Sequence, residues 1–151
     1  MLFAMSGLTV LAALMPYGEF LSYGSKPKIE RKKIANISDL KPHSAIIFQW
    51  PTETHPYHTN LLIRGREGVG MGRKGDLYAY NRVCTHLQCL LNYDSNNDQI
   101  ICPCHGSVFA GKDGNVVNGP ARKPLPTIEL EEEENGDIYA VKIVGEFGYG
   151  R

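Results

Sequence analysis

All four cysteines of the chain and two of its five histidines fall in two short boxes, Cys84-Thr85-His86-Leu87-Gln88-Cys89 and Cys102-Pro103-Cys104-His105-Gly106-Ser107. Sulfur and imidazole donors at this density are what transition metals and iron–sulfur clusters require. Three centres can be assembled from them. A tetrahedral zinc site would take two cysteines and two histidines and leave two cysteines over. An all-thiolate 2Fe-2S centre would take all four cysteines and leave the histidines without a task. A mixed 2Fe-2S centre would place one cysteine from each box on one iron and one histidine from each box on the other, with the last two cysteines free to close a disulfide. Only the third employs every donor in both boxes.

The pattern Cys-x-His-x-x-Cys followed by Cys-x-Cys-His-Gly-Ser resembles the Rieske iron–sulfur proteins, and the double box is far more specific than a lone Cys-x-x-Cys. The resemblance implies a 2Fe-2S cluster with Cys84 and Cys102 on the inner iron, His86 and His105 on the outer iron, and a disulfide between Cys89 and Cys104 tying the two loops together. It also implies that the Ser107 hydroxyl bonds a bridging sulfide and that Leu87 and Pro120 form an apolar collar over the cluster. The extra cysteine pair is a feature of Rieske subunits of cytochrome bc and b6f complexes and of the small subunit of arsenite oxidase. Soluble Rieske ferredoxins and ring-hydroxylating oxygenases lack it. Such a disulfide fits a compartment that is not strongly reducing.

By the same resemblance, His105 hydrogen-bonds a quinol and takes an electron with a proton, His86 is a second exposed catalytic histidine, and the electron passes on to a cytochrome. Neutral imidazoles in place of two thiolates lower the negative charge of the centre, so family potentials lie at roughly −150 to +300 mV against about −400 mV for plant-type ferredoxins. The implied partners are a cytochrome b-type membrane subunit, quinol, and cytochrome c or an equivalent acceptor. Three positions depart from the family pattern. Gln88 stands where a glycine is usual, Phe109 stands where high-potential members carry a tyrosine that bonds a ligand sulfur, and Gly119-Pro120-Ala121-Arg122 replaces Gly-Pro-Ala-Pro. The hydrogen bond missing at Phe109 implies a potential below that of the mitochondrial type. Alternative readings are the small subunit of an arsenite-oxidase-like molybdoenzyme and a stand-alone electron carrier.

The elements that must hold the boxes are legible around them. Sixteen glycines and nine prolines interspersed with Val, Ile and Tyr favour a loop-rich all-β body, and 16 basic against 16 acidic residues give no sign of a nucleic-acid partner. Strands are expected over 29–34, 45–50, 59–64, 77–82, 127–130 and 138–144, with a turn over 37–42 and a loop over 51–58. Between the boxes, Asp94-Ser95-Asn96-Asn97-Asp98 is a turn, so 90–93 and 99–102 form a hairpin that brings the ligand loops together at one end of a small sheet. Gly111-Lys112-Asp113-Gly114 makes another tight turn, and Asn118 to Ala121 corresponds to the proline loop over the cluster. Glu131 to Glu134 with Asn135-Gly136 reads as a solvated hairpin turn. His43, His55 and His58 lie in loops without cysteines or carboxylates at ligand spacing and are expected to be solvated.

The expected architecture is thus a small antiparallel β-sandwich with a cluster-binding subdomain of two loops, preceded by one N-terminal transmembrane helix. Residues 1–18 carry no charge, and Phe20, Leu21 and Tyr23 extend the apolar stretch past Glu19, so residues 1–23 are expected to form a membrane anchor. Residues 24–28 read as a flexible linker and 29–151 as the cluster domain. Lys26, Lys28, Arg31, Lys32 and Lys33 follow the apolar stretch and by charge bias would favour the cytoplasmic side. The resemblance implies the opposite, a single-pass protein of the cell membrane with its cluster domain on the extracytoplasmic face.

Overall fold

The computed structural model describes residues 29–147. The expected anchor, the linker up to Lys28 and the end of the tail lie outside the described residues. Among those described, no helix is long and apolar enough to cross a membrane.

Among the described residues, ten strands form two antiparallel sheets: β1 Lys32–Asn36, β2 Ser44–Gln49, β3 Thr59–Arg64, β4 Leu77–Asn81, β5 Asn92–Asp94, β6 Gln99–Ile101, β7 Val108–Ala110, β8 Val116–Asn118, β9 Thr127–Glu132 and β10 Asp137–Val144. The larger sheet has the order β1-β10-β9-β4-β3-β2 and the smaller one is the meander β5-β6-β7-β8. The period of two along a strand explains how they stack. From β3 and β4, Leu61, Ile63, Tyr78 and Tyr80 point to one core, whereas Leu62, Leu77 and Ala79 point to another. The first core is shared with Leu91, Ile100 and Phe109 of the small sheet and its approach, together with Cys84 and Cys102. The second is shared with Ile128, Leu130, Ile138 and Ala140 of β9 and β10. A single residue pair, Tyr80 with Thr127, joins β4 to β9. That thin seam lets the two halves of the large sheet close on each other.

Both faces of β3 and β4 are therefore covered, which is why Leu-Leu-Ile in β3 and Leu-Tyr-Ala-Tyr in β4 are buried throughout. Full burial of one Leu, Ile or Phe contributes roughly 1.5–3 kcal/mol. Tyr80 reaches through the first core to donate a hydrogen bond to the Gly111 carbonyl at 3.0 Å, and burial pushes its hydroxyl pKa up. Large sheet and small sheet are pinned together by that phenol.

Several boundaries differ from the sequence reading. Lys32, not Ile29, opens the first strand, because β1 begins only where it finds β10 to pair with, at Lys32 opposite Ala140. Asn92, not Leu90, opens β5, and Leu90 instead bridges to Val83. The cluster subdomain is more than two loops, since β7 and β8, each three residues long, complete its sheet. Glu131 and Glu132 belong to β9 rather than to a turn. Their run is also paired: Arg31 meets Glu131 at 3.1 Å and Glu133 at 2.6 Å, and the Arg73 backbone N–H donates to Glu132 at 2.7 Å.

Candidate metal centre

The two boxes fold into loops of the same design. In the first, the Cys84 N–H donates to the Cys89 carbonyl at 2.8 Å and the Gln88 N–H donates to the Cys84 carbonyl at 2.9 Å. In the second, Cys102 N–H reaches the Ser107 carbonyl at 2.8 Å and Gly106 N–H reaches the Cys102 carbonyl at 3.1 Å. The fifth residue of each is left-handed, with φ 63° at Gln88 and 70° at Gly106. The first loop follows β4 and the second joins β6 to β7. The β5–β6 hairpin between them, with Asn92 opposite Ile101 and Asp94 opposite Gln99, sets them side by side as the turn composition predicts.

The side chains converge accordingly. Cys89 and Cys104 form a disulfide with their Cα atoms 6.4 Å apart, while Cys84 and Cys102 remain free and buried. The Cys89, Cys102 and Cys104 sulfurs lie within 4.8 Å of one another, but two of these are already joined to each other. Cys84 and Cys102 are therefore the available thiols. The His86 and His105 rings are 5.0 Å apart and nearly perpendicular, at 89°. His105 is exposed, whereas His86 is half-buried, with Nδ1 fully buried and without a hydrogen-bond partner.

This donor set fits an iron–sulfur cluster held by two thiolates and two imidazoles. A buried ring nitrogen without a partner is costly unless something accepts its lone pair. Burial pushes the Cys84 thiol up, the His86 backbone N–H pulls it down, the adjacent Cys102 pushes it up, and the Ser107 hydroxyl pulls it down. Two buried thiols side by side suit a metal, whose binding would take them in their deprotonated form.

A third loop closes the site. Ser107 is fully buried, and its Oγ accepts from the Ala121 N–H at 3.1 Å. Thr85 donates from Oγ1 to the Lys123 carbonyl at 2.8 Å. Gly119, at φ 92°, lies so close to Ser107 that a Cβ would meet its Cα at 2.5 Å. Leu87 is 59% exposed and Pro120 is exposed, so both stand at the surface. Phe109 is fully buried in the core that contains Cys84 and Cys102.

Sequence reasoning missed the supports from the 51–58 loop. The Tyr57 hydroxyl donates to Gln88 Oε1 at 2.6 Å, and the Tyr57 carbonyl accepts from Asn81 Nδ2 at 2.7 Å. Asn60 and Asn81 are both fully buried and bonded to each other at 3.1 Å. The signal was an asparagine abutting the apolar run of each of two strands, Asn60 before Leu61 to Ile63 and Asn81 after Leu77 to Tyr80. His43 and His55 are exposed as expected, but His58 is half-buried, stacked on His55 at 4.3 Å, and its Nδ1 lies 2.7 Å from Thr52 Oγ1.

Comparison with known proteins agrees. The Rieske 2Fe-2S domain matches residues 32–129. The chloroplastic cytochrome b6-f complex iron-sulfur subunit of Oryza sativa is 26% identical over 149 residues, 95% of this chain and 64% of that protein. The cytochrome bc1 complex Rieske iron-sulfur subunit of Corynebacterium glutamicum is 40% identical over 77 residues, 50% of this chain and 19% of that protein. The chain thus spans less than two thirds of the length of these relatives. Among solved structures, the soluble domain of Rieske protein II from Sulfolobus acidocaldarius superposes with a TM-score of 0.66 at 25% identity, covering 82% of this chain and 83% of that one. The cyanobacterial plasma membrane Rieske protein of Synechocystis gives 0.57 at 30% identity, covering 74% of this chain and 98% of that one. With more than half of its length matched and with paired cysteine–histidine loops bridged by a disulfide, this chain belongs to the family of Rieske 2Fe-2S domains.

Proposed function

We propose that this protein is the membrane-anchored Rieske subunit of a bc- or b6f-type complex, taking an electron and a proton from quinol and handing the electron to a cytochrome. The observation that carries the reading is the pair of perpendicular imidazoles at the tip, one exposed and one with a buried, unpartnered Nδ1, set beside two buried free thiols. Cys84 and Cys102 would hold one iron and His86 and His105 the other. Bound there, the cluster supplies one-electron redox chemistry at a potential raised by imidazole ligation.

The residues of the chain do the rest. His105, exposed at the end of the molecule, presents its ring to the quinol hydroxyl and holds the proton that leaves with the electron. Leu87 and Pro120 keep water from the face that meets the partner. The Cys89–Cys104 disulfide holds the two loops at fixed separation, so that both imidazoles address one centre. Residues 1–23 would anchor the protein and 24–28 would let the domain move between quinol and acceptor.

The test is purification from native membranes, with electron paramagnetic resonance of the reduced protein and identification of co-purifying subunits. A mixed-ligand 2Fe-2S signal together with a dihaem cytochrome b is the expected result. Co-purification with a molybdopterin subunit would replace this reading with the arsenite-oxidase-like one, and zinc in place of iron would refute both.

A further inference from the structure

Beside His86 lies a groove of about 560 Å³ lined by Thr85, His86, Gly119, Pro120, Arg122 and Lys123. Among the described residues no carboxylate lines it. Arg122 and Lys123 are exposed, and neither side chain is hydrogen-bonded or ion-paired among the described residues. Elsewhere on the domain, Arg31, Lys32, Lys33, Arg64, Lys74 and Lys142 each sit against an acidic side chain, while Lys41, Arg66 and Lys112 are exposed and, like Arg122 and Lys123, without an ion pair among the described residues. The two cations are not on a loose loop. Pro120 and Pro124 flank them, Thr85 holds the Lys123 carbonyl, and Ser107 holds the Ala121 N–H.

The acidic run sits at the other end. Strand β9 starts at Thr127, paired with Tyr80 next to the cluster loops, and ends at Glu132, so Glu131 to Glu134 lie away from the tip. The run of four glutamates is thus kept away from Arg122 and Lys123. Asp113 and Glu146 line a neighbouring groove that Lys123 also lines, without forming an ion pair with it.

Resting on the electron-transfer reading above, we infer that Arg122 and Lys123 form the docking rim for an electron-acceptor protein whose redox-centre edge is ringed with carboxylates. The layout matches a protein interface with an apolar contact, here Leu87 at 59% exposure beside His86, and a charged rim. Quinol is uncharged and gains nothing from these cations. A carboxylate ring gains a bidentate partner in Arg122 and a point charge in Lys123. Fixed, unpaired charges around an exposed redox tip chiefly raise the rate of productive encounter.

The experiment uses the full-length, cluster-loaded protein in detergent and two soluble monohaem c-type cytochromes, one with an acidic and one with a basic haem edge. Stopped-flow electron-transfer rates are followed from about 10 mM to about 150 mM salt, across which the screening length falls from about 30 Å to about 8 Å. With the acidic probe the rate should fall as salt rises. The double reversal R122E/K123E should lower the low-salt rate roughly tenfold or more and invert the salt slope, while K41E, at the opposite end, should change it less than about twofold. Calorimetric titration with the acidic cytochrome carrying redox-inert zinc porphyrin reads docking without electron transfer and should lose affinity in the same variant. A wild-type salt slope in R122E/K123E, or tighter binding of the basic probe by the unaltered protein, overturns the inference. Electron transfer absent with both cytochromes while zinc-porphyrin binding still depends on Arg122 and Lys123 would refute the electron-transfer reading and leave the docking face standing.

Discussion

Gln88 and Gly106 occupy the same place in two loops of one design, each the left-handed fifth residue whose N–H returns to the carbonyl of the leading cysteine. Glycine adopts this conformation freely, but a residue with a Cβ pays roughly 1 kcal/mol or more. Gln88 recovers part of that through the 2.6 Å hydrogen bond from the Tyr57 hydroxyl.

A double-mutant cycle tests this compensation. Tyr57→Phe should cost about 1 kcal/mol in the natural chain and close to nothing once Gln88 is glycine, because only the glutamine offers an acceptor. Q88G alone should be near neutral, relief of strain offsetting the lost bond. Denaturant unfolding of the four proteins measures the coupling, and a Y57F cost that is the same in both backgrounds would refute it.

Removing the Ser107 hydroxyl should do two things. Ser107→Ala leaves the buried Ala121 N–H without its acceptor, a cost of about 1–3 kcal/mol. It also deletes a donor to the sulfur of the site, so the midpoint potential should fall. Spectroelectrochemical titration and thermal unfolding read the two effects separately, and an unchanged potential would contradict the second.

Opening the disulfide should release the two loops. Cys89 and Cys104 are 15 residues apart, and cross-links closing loops of that size stabilise by about 3 kcal/mol in the chain-entropy account. Double substitution to serine should make the cluster labile before the body of the domain unfolds, since the two cores behind the loops are untouched. Loss of visible absorbance ahead of the loss of β-sheet circular dichroism on heating is the expected order.

Phe109 should hold the potential below that of Rieske proteins that carry tyrosine at this position, because its buried ring offers no hydroxyl to a nearby sulfur. A redox titration of the natural protein at the top of the family range would contradict this. Phe109→Tyr should raise the potential if the added hydroxyl finds the sulfur it is proposed to bond.

Acid should weaken the 51–58 loop through His58. Burial and then the neighbouring His55 hold its pKa below the ordinary 6.5, so the unfolded chain binds more protons than the folded one. That contribution is intact above the unfolded value of 6.5 and is lost as pH falls through it towards the lower folded value. His58→Gln should flatten this part of the stability–pH curve relative to the natural protein.

Much of the centre was legible because its donors are rare residue types at fixed spacings. Cys84, His86, Cys102 and His105 could be proposed as donors from sequence, and the Asp94-to-Asp98 turn sufficed to bring the boxes together, since a hairpin is a local interaction. The short apolar runs of β3 and β4, bounded by loop residues, likewise announced strands.

What sequence could not settle depends on partners distant along the chain. The start of β1 is set by β10, more than a hundred residues away, and β7 exists because β6 offers it an edge, as β7 in turn does for β8. The role of Gln88 needed the loop that carries Tyr57, and the unpaired state of Arg122 and Lys123 emerged only once the carboxylates had been placed elsewhere. Ligand identity is written in side-chain chemistry, which one residue carries by itself. Strain relief, burial and residual charge are properties of neighbourhoods, and neighbourhoods are decided by the fold.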